Sequence, residues 1–292
     1  MRLYTVAHHT FGLEWPEGFS SEVLRPYSFF REDKDVMPIF TLVIKRSERL
    51  PIEKVGECLQ CFHEEMPCTW LYRREEGYAF GFSNTFQEPE ALLLPALSGQ
   101  PAVLYVYTRD TPEQIAFALN NSLMLLYALS TASQDTLLVH ASTIEKEGMG
   151  YLFLGRSGTG KSTHGNLWLT HIEGAELLND DNPVIRLSDD GKVYVYGSPW
   201  SGKTPCYKNR RAELKAIVRL SQAPFNRIIE LENLKAYASL LPSCSCMRWE
   251  RRMADNVYRT VEQVVLRCSN YQLECLPDKM AALLCFRTVT AL

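Results

Sequence analysis

Residues 155–163 read GRSGTGKST, between the apolar run YLFL and KSTHGNLWLTHIEG, a segment with helical patterning. Gly155, Gly160, Lys161 and Ser162 satisfy the spacing GxxxxGK[ST], and the strand before and helix after supply the context that such a loop requires. The spacing has a physical reason. Gly155, Arg156, Ser157, Gly158, Thr159, Gly160, Lys161, Ser162 and Thr163 can wrap their backbone N–H groups round a phosphate at the positive end of the helix, and the glycines allow close approach. Lys161 would add a full charge at the β- and γ-oxygens, and the Ser162 hydroxyl would hold the Mg²⁺ that bridges them. A nucleotide and Mg²⁺ are therefore the expected ligands. A glycine-rich turn without nucleotide is the plainer alternative, which the strand and helix disfavour.

Asp180 and Asp181 follow Lys161 by 19 and 20 residues, at the end of AELLN. That distance predicts one helix returning the chain to a strand beside the phosphate-loop strand, with both carboxylates near the γ-phosphate. Two adjacent acids could divide the work, one holding Mg²⁺ and the other taking a proton from an attacking hydroxyl. Asp-Asp-Asn-Pro is also ordinary turn composition. His140, in TLLVHASTI, is on its own a lone histidine on a strand, for which a structural role is the better reading.

The elements that must position these residues are legible as patterns. LYTVAHHTF, PIFTLVIKR, TWLYRREEGYAFGF and AVLYVYTRD predict a strand-rich unit over residues 1–110, with His8 and His9 facing opposite ways on one strand. TPEQ then supplies an N-cap Thr111, a Pro at the first helical position and Gln114 for a capping box, so a helix should run over 112–131. Its apolar residues Ile115, Leu119, Leu123, Leu126 and Leu129 recur at three and four. Beyond it TLLVHASTI, YLFL, AELLN, IRL, VYVYG, LKAIVRL and RIIEL read as strands. LENLKAYASLL, RMADNVYRTVEQVVLRC and PDKMAALLCFRTV read as helical. The boundary is expected between 110 and 135.

The chain has 292 residues, 46% hydrophobic and 22% charged, with a formal net charge of -3, a composition that can bury a substantial core. With no basic block, nucleic acid is not an expected partner. MRLYTVAHHTFGLEW lacks the form of a secretory signal, and no run approaches about 18 apolar residues, so no membrane association and a cytoplasmic location are expected. Nine cysteines at irregular spacings read as reduced thiols. Cys58, Cys61, His63 and Cys68 could begin a zinc site, but EKVGECLQCFHEEM reads better as an amphipathic helix with Cys58, Cys61 and Phe62 turned to a core.

The arrangement LLVHAS, a turn, YLFLGRSGTGKST and then LLNDD resembles the catalytic domain of HPr kinase/phosphorylase and its relatives in the phosphoenolpyruvate carboxykinase-like superfamily. The stretch YGSPWSGKTPCYKNRRAELKAIVRLSQAP also resembles a Pro-Trp segment of the HPr-kinase-like proteins found beside peptide-modifying enzymes. The likeness runs from about 136 to 285. It implies an α/β fold in which a P-loop-containing, phosphoenolpyruvate carboxykinase-like kinase domain, 136–292, follows a smaller β-rich N-terminal domain and a linking helix, 111–135.

The resemblance further implies ATP-dependent transfer of a phosphoryl group to a serine hydroxyl of a small protein or peptide. Asp180 would be the general base, Asp181 the Mg²⁺-linked carboxylate, and His140 a neighbour that orients or protonates. Lys203, with Lys208, Arg210 and Arg211, could meet the charge of the transferred group, although a solvated basic loop suits them equally. Three departures stand out: the loop ends Lys-Ser-Thr where HPr kinases tend to have Lys-Ser-Glu, the N-terminal half does not match theirs, and the segment that supports their reverse, phosphate-driven reaction has no counterpart that can be placed. The acceptor is therefore not expected to be HPr, and both the phosphorylase reaction and the family's homo-oligomeric assembly are left open. A small-molecule kinase of the shikimate, nucleotide or free-serine type and a non-catalytic ATP-sensing module are the other readings.

Overall fold

Alternating β-branched and aromatic residues give the first half of the chain its strands, and two left-handed residues turn the first of them back on itself. In the computed structural model, residues 1–19, 21–62, 68–75, 77–85, 88–96, 100–202 and 204–291 are described. LYTVAHHTF forms a hairpin rather than one strand: β1 (Arg2–Val6) and β2 (His9–Glu14) are joined by Ala7 and His8 at φ of 48° and 65°. Positive φ at both positions matches the twist of a two-residue hairpin. His8 therefore sits in the turn, while His9 is buried and meets the Tyr127 ring edge-on.

The remaining strands of this half are β3 (Arg31–Glu32), β4 (Thr41–Ser47), β5 (Cys58–Phe62), β6 (Cys68–Arg73), β7 (Tyr78–Ser83), β8 (Ala91–Leu94) and β9 (Ala102–Tyr107). They make a nine-stranded sheet in the order β3-β1-β2-β4-β9-β8-β7-β6-β5, with β4 parallel to both β2 and β9. The helix expected around Cys58 and Cys61 is instead the edge strand β5, paired to β6, with Cys58 and Phe62 exposed. Cross-strand pairing there outweighs a weak helical pattern. His63 lies outside the described residues, among which no group of three His, Cys, Asp or Glu could hold a metal. All nine cysteines are free thiols.

The helix α1 (Pro112–Thr131) starts as its sequence predicts. Thr111 N donates to Gln114 Oε1 at 2.9 Å, and Gln114 N donates to Thr111 Oγ1 at 3.4 Å. Ile115, Leu119, Leu123 and Leu126 are buried, Leu129 is half-buried, and Tyr127 O–H donates to Val6 O of β1. With the turn after it, 112–134 is one helical segment long and apolar enough to cross a membrane by length and composition, against the expectation that none would be; more than half of that window is buried. The chain divides into two units, Met1–Ser130 and Thr131–Leu292, so α1 falls with the first.

The second unit contains β10 (Thr136–Leu138), β11 (Ser142–Lys146), β12 (Met149–Leu154), α2 (Lys161–His171), β13 (Glu176–Asn179), β14 (Val184–Leu187), β15 (Val193–Tyr196), β16 (Arg211–Gln222), β17 (Arg227–Glu230), α3 (Asn233–Leu240), α4 (Arg251–Arg267), β18 (Ser269–Cys275) and α5 (Lys279–Thr290). Its sheet runs β10-β14-β15-β16-β12-β11-β13, and β18 pairs with both β16 and β17. The long β16 carries β12 on one edge. Its other edge is shared, β15 taking Arg211–Glu213 and β18 taking Ala216–Gln222.

TLLVHASTI, expected as one strand, is two: β10 and β11 are separated by Val139, His140 and Ala141. β10 pairs antiparallel with β14, and β11 with β13. Between the two pairs, Val139 N donates to Pro183 O and Ala141 N to Asp181 O. The register is unbroken from Thr136 opposite Arg186 to Thr143 opposite Asn179, so the two ends of the sheet order are halves of one ladder. AELLN, as β13, does not lie beside the strand before the glycine-rich loop. The tight Glu147-Gly148 turn (φ 53° and 79°) pairs β11 with β12, leaving β13 the next place out.

Trp168 anchors the core on which the loop depends. Fully buried, it meets Tyr151 and Phe153 of β12 and Phe286 of α5 at ring-centroid distances of 5.0, 5.3 and 5.6 Å. Ala216, Val218 and Leu220, alternate residues of β16, join this cluster, and Ile217 between them is buried outside it. Trp168→Ala should cost about 3–5 kcal/mol in denaturant unfolding, whereas Leu169→Ala, at a half-exposed neighbour, should cost much less. Equal losses would show that Trp168 does not hold the core.

Candidate functional site

The loop between β12 and α2 runs from Gly155, which is buried, to Gly160 at φ 105°, a conformation that favours glycine. Arg156, Ser157 and Gly158 are exposed along it, as are Ser162 and Thr163 in the first turn of α2. Thr159 N donates to Arg156 O, which tightens the loop, and His164 N donates to Gly160 O as the helix begins. Lys161 Nζ turns back and donates to Gly155 O at 3.0 Å.

Lys161 also meets His140. Its Nζ lies 3.0 Å from His140 Nε2, while His140 Nδ1 lies 3.1 Å from Asp181 Oδ1. Because an ammonium can only donate, Nε2 is the acceptor, and the ring proton on Nδ1 is donated to Asp181. A lysine, a histidine and a carboxylate are thus joined in a row at the end of the glycine-rich loop. The ladder makes this possible: Ala141 N is bonded to Asp181 O on one side of His140, and His140 N donates to Ser243 O on the other.

The two aspartates have unequal surroundings. Asp180 is 8% exposed, and its Oδ1 accepts from Ser142 Oγ at 2.9 Å across the ladder. Asp181 has a third of its side chain exposed, with Oδ2 accepting from Asn182 Nδ2. Gly165 of α2 lies against Ser142: a Cβ there would stand 3.2 Å from Ser142 Oγ. The partner of Asp180, Ser142, thus lies against the helix that follows the loop.

The Pro-Trp segment is stitched to the acids. Asn179 Oδ1 accepts from Asp181 N at 2.9 Å, while its Nδ2 donates to Ser198 Oγ at 3.1 Å and Trp200 O at 3.3 Å. Ser198 Oγ donates to Asn182 O, and Asn182 N to Trp200 O. This brings Gly202 over the aspartates, where a Cβ would lie 3.1 Å from Asp180 O and 3.3 Å from Asp181 Cβ. Its neighbour Lys203 lies outside the described residues.

Three of the four basic residues expected to serve the reaction are held elsewhere. Lys208 and Arg210 both pair with Glu176, and Arg210 also with Glu145. These cations hold the Glu176 carboxyl down to about 2. Arg211 stacks 4.2 Å from the Tyr194 ring centroid. Glu176 begins β13 and the aspartates follow its end, so these pairs clamp the far end of the strand.

Several residues of the site escape sequence reading. Ser142 is two places after His140, so its period-two spacing is a signal; Asn179, Ser198 and Gly202 carry none. His164, four residues before Trp168 on α2, is also new: it is 3% exposed, and Trp168 Nε1–H donates to its Nε2 at 3.1 Å. Burial pulls its pKa down to about 4.

The second unit is thus a mixed α/β assembly with an ionic row at a glycine-rich loop. The family described as SynChlorMet cassette protein ScmC matches residues 106–272, more than half of the chain, and the chain belongs to that family. No curated protein matches it.

The burial of His164 has a consequence for stability. Unfolded, it titrates near 6.5, and folded near 4, so in that window the unfolded chain binds the extra proton. Stability should fall by about 3 kcal/mol as pH drops from 7 to 4 on this account alone. Urea unfolding across that range should show a shallower fall in His164→Phe, and an unchanged slope would contradict the assignment.

Proposed function

We propose that the chain is an ATP-dependent kinase, with a phosphoenolpyruvate carboxykinase-like P-loop domain, that transfers a phosphoryl group to a serine hydroxyl of a small protein or peptide. The observation that carries this reading is the row Lys161, His140, Asp181 at the end of the glycine-rich loop, with Asp180 beside it. A loop that only sensed nucleotide would need Lys161 but not a histidine and an acid joined to it. The family description as a cassette protein supports an acceptor encoded beside this chain.

The residues present fit MgATP. The backbone from Gly155 to Thr163 would cradle the phosphates, and Lys161 would exchange its carbonyl partners for phosphate oxygens. Ser162, exposed in the first turn, and Asp181, partly exposed, are the hard oxygen donors that would hold Mg²⁺. When bound, the ion would neutralise charge on the β- and γ-phosphoryl oxygens. Asp180, oriented by Ser142, would take the proton of the acceptor hydroxyl as its oxygen bonds to the γ-phosphorus and the bond to ADP breaks. His140 would keep Asp181 and Lys161 in mutual register by bridging them.

Incubation with γ-labelled ATP, Mg²⁺ and peptides encoded nearby should label an acceptor serine. Lys161→Ala should abolish nucleotide binding, and Asp180→Asn should leave binding within a few-fold while lowering transfer by about 10²–10⁴-fold. Normal transfer by Asp180→Asn would remove Asp180 as the base. Tight ATP binding without labelling, indifferent to Asp180→Asn, would leave an ATP-sensing module.

Ser142→Ala should lower kcat about tenfold with little change in KM for ATP, because it loosens the base rather than the phosphate cradle. A change in KM alone would place Ser142 outside the transfer step.

A further inference from the structure

A cavity of about 620 Å³ opens beside the glycine-rich loop. Its floor is the loop itself at Gly158 and Gly160, and its walls include Leu167 of α2, Leu220 at the end of β16 and Leu276 after β18. The volume is that of a small-molecule site, and the lining is apolar with a few polar groups. Thr163, His164 and Leu167 line it from α2, whereas Gly165 of the same helix faces Ser142 and Ile144. The cavity and Ser142, the hydrogen-bond partner of Asp180, therefore lie on different faces of α2.

One buried polar atom of a residue that lines this cavity has no hydrogen-bond partner within the protein. Trp168 Nε1–H can only donate, so His164 Nε2 accepts and the neutral ring carries its proton on Nδ1. That Nδ1 is buried and makes no hydrogen bond within the protein. A buried donor left unmatched is unfavourable and calls for an acceptor from outside the chain.

We propose that the cavity receives the purine nucleoside of the phosphoryl donor, with His164 Nδ1–H donating to a ring nitrogen of the base. The inference rests on reading the loop as an ATP site and adds the base-selecting residue. A nucleoside seated between Leu167, Leu220 and Leu276 would pass its phosphates over Gly158 and Gly160 toward Lys161 and His140. A purine suits the slot because its flat double ring covers more of the apolar walls than a pyrimidine and offers several ring-nitrogen acceptors.

The test separates base from phosphates. Affinities of the full chain for MgATP, MgUTP and inorganic tripolyphosphate are compared with those of Leu167→Trp, which fills the cavity, and the His164 Nδ1–H resonance is followed by nitrogen-edited NMR. The proposal expects ATP to bind about tenfold tighter than UTP, and Leu167→Trp to weaken ATP by a similar factor while tripolyphosphate stays within about twofold. The Nδ1–H resonance should move with ATP and not with tripolyphosphate. Equal loss or no loss for ATP and tripolyphosphate in Leu167→Trp would overturn the cavity assignment while leaving the loop reading intact, and a stationary Nδ1–H would remove His164. If neither ligand binds the wild-type chain, the loop reading fails and this inference with it.

Discussion

A single antiparallel ladder determines where His140, Asp180 and Asp181 can be. From Thr136 opposite Arg186 to Thr143 opposite Asn179 the register is unbroken, although the strands themselves are interrupted at residues 139–141 and 180–183. In that interruption backbone bonds persist although neither segment is a strand. His140 is exposed there, next to a partly exposed Asp181, and Ser142 faces Asp180. A one-residue slip would turn each of these side chains to the other face. The ladder is thus both a structural seam and the device that brings a histidine to two acids some forty residues away.

The glycine-rich loop is held against this seam from the other side. Its strand β12 pairs with β11, and its helix α2 is fixed by Trp168 in a core built from β12, β16, β18 and α5. Gly165 lets the helix settle onto Ser142 without a side chain in the way. Packing therefore sets the distance between Lys161 and His140. The long strand β16 contributes to both regions, because it supports β12 along one edge and ends at the wall of the cavity beside the loop.

Charge is distributed with similar economy. The basic segment after Trp200 spends Lys208 and Arg210 on Glu176 and Glu145, at the end of β13 remote from the aspartates. What residues 198–202 bring to the acids is one hydroxyl and backbone: Ser198 Oγ and Trp200 O meet Asn179 and Asn182, and Gly202 covers the pair. A stretch that looks electrostatic in sequence is in the fold largely a brace. The match to the ScmC family extends across all of these parts, from β9 to within β18.

Local signals were sufficient for much of this protein. The Thr111 to Gln114 capping box, the buried face of α1, and the strand, loop and helix around Gly155 to Thr163 follow from spacing and caps, because those depend on neighbours within a few residues. What depended on distant partners was not readable. Whether Cys58 and Cys61 sit on a helix or on an edge strand was decided by β6, whether β13 adjoins β12 or β11 was decided by a hairpin turn, and whether Arg210 faces a phosphate or Glu176 was decided by the sheet. The residue types and intervals alone placed a glycine-rich loop, a lysine and two acids in one chain. Only the tertiary structure joined them through His140 and left His164 with an unmatched proton, because those contacts arise from register and burial between segments far apart in sequence.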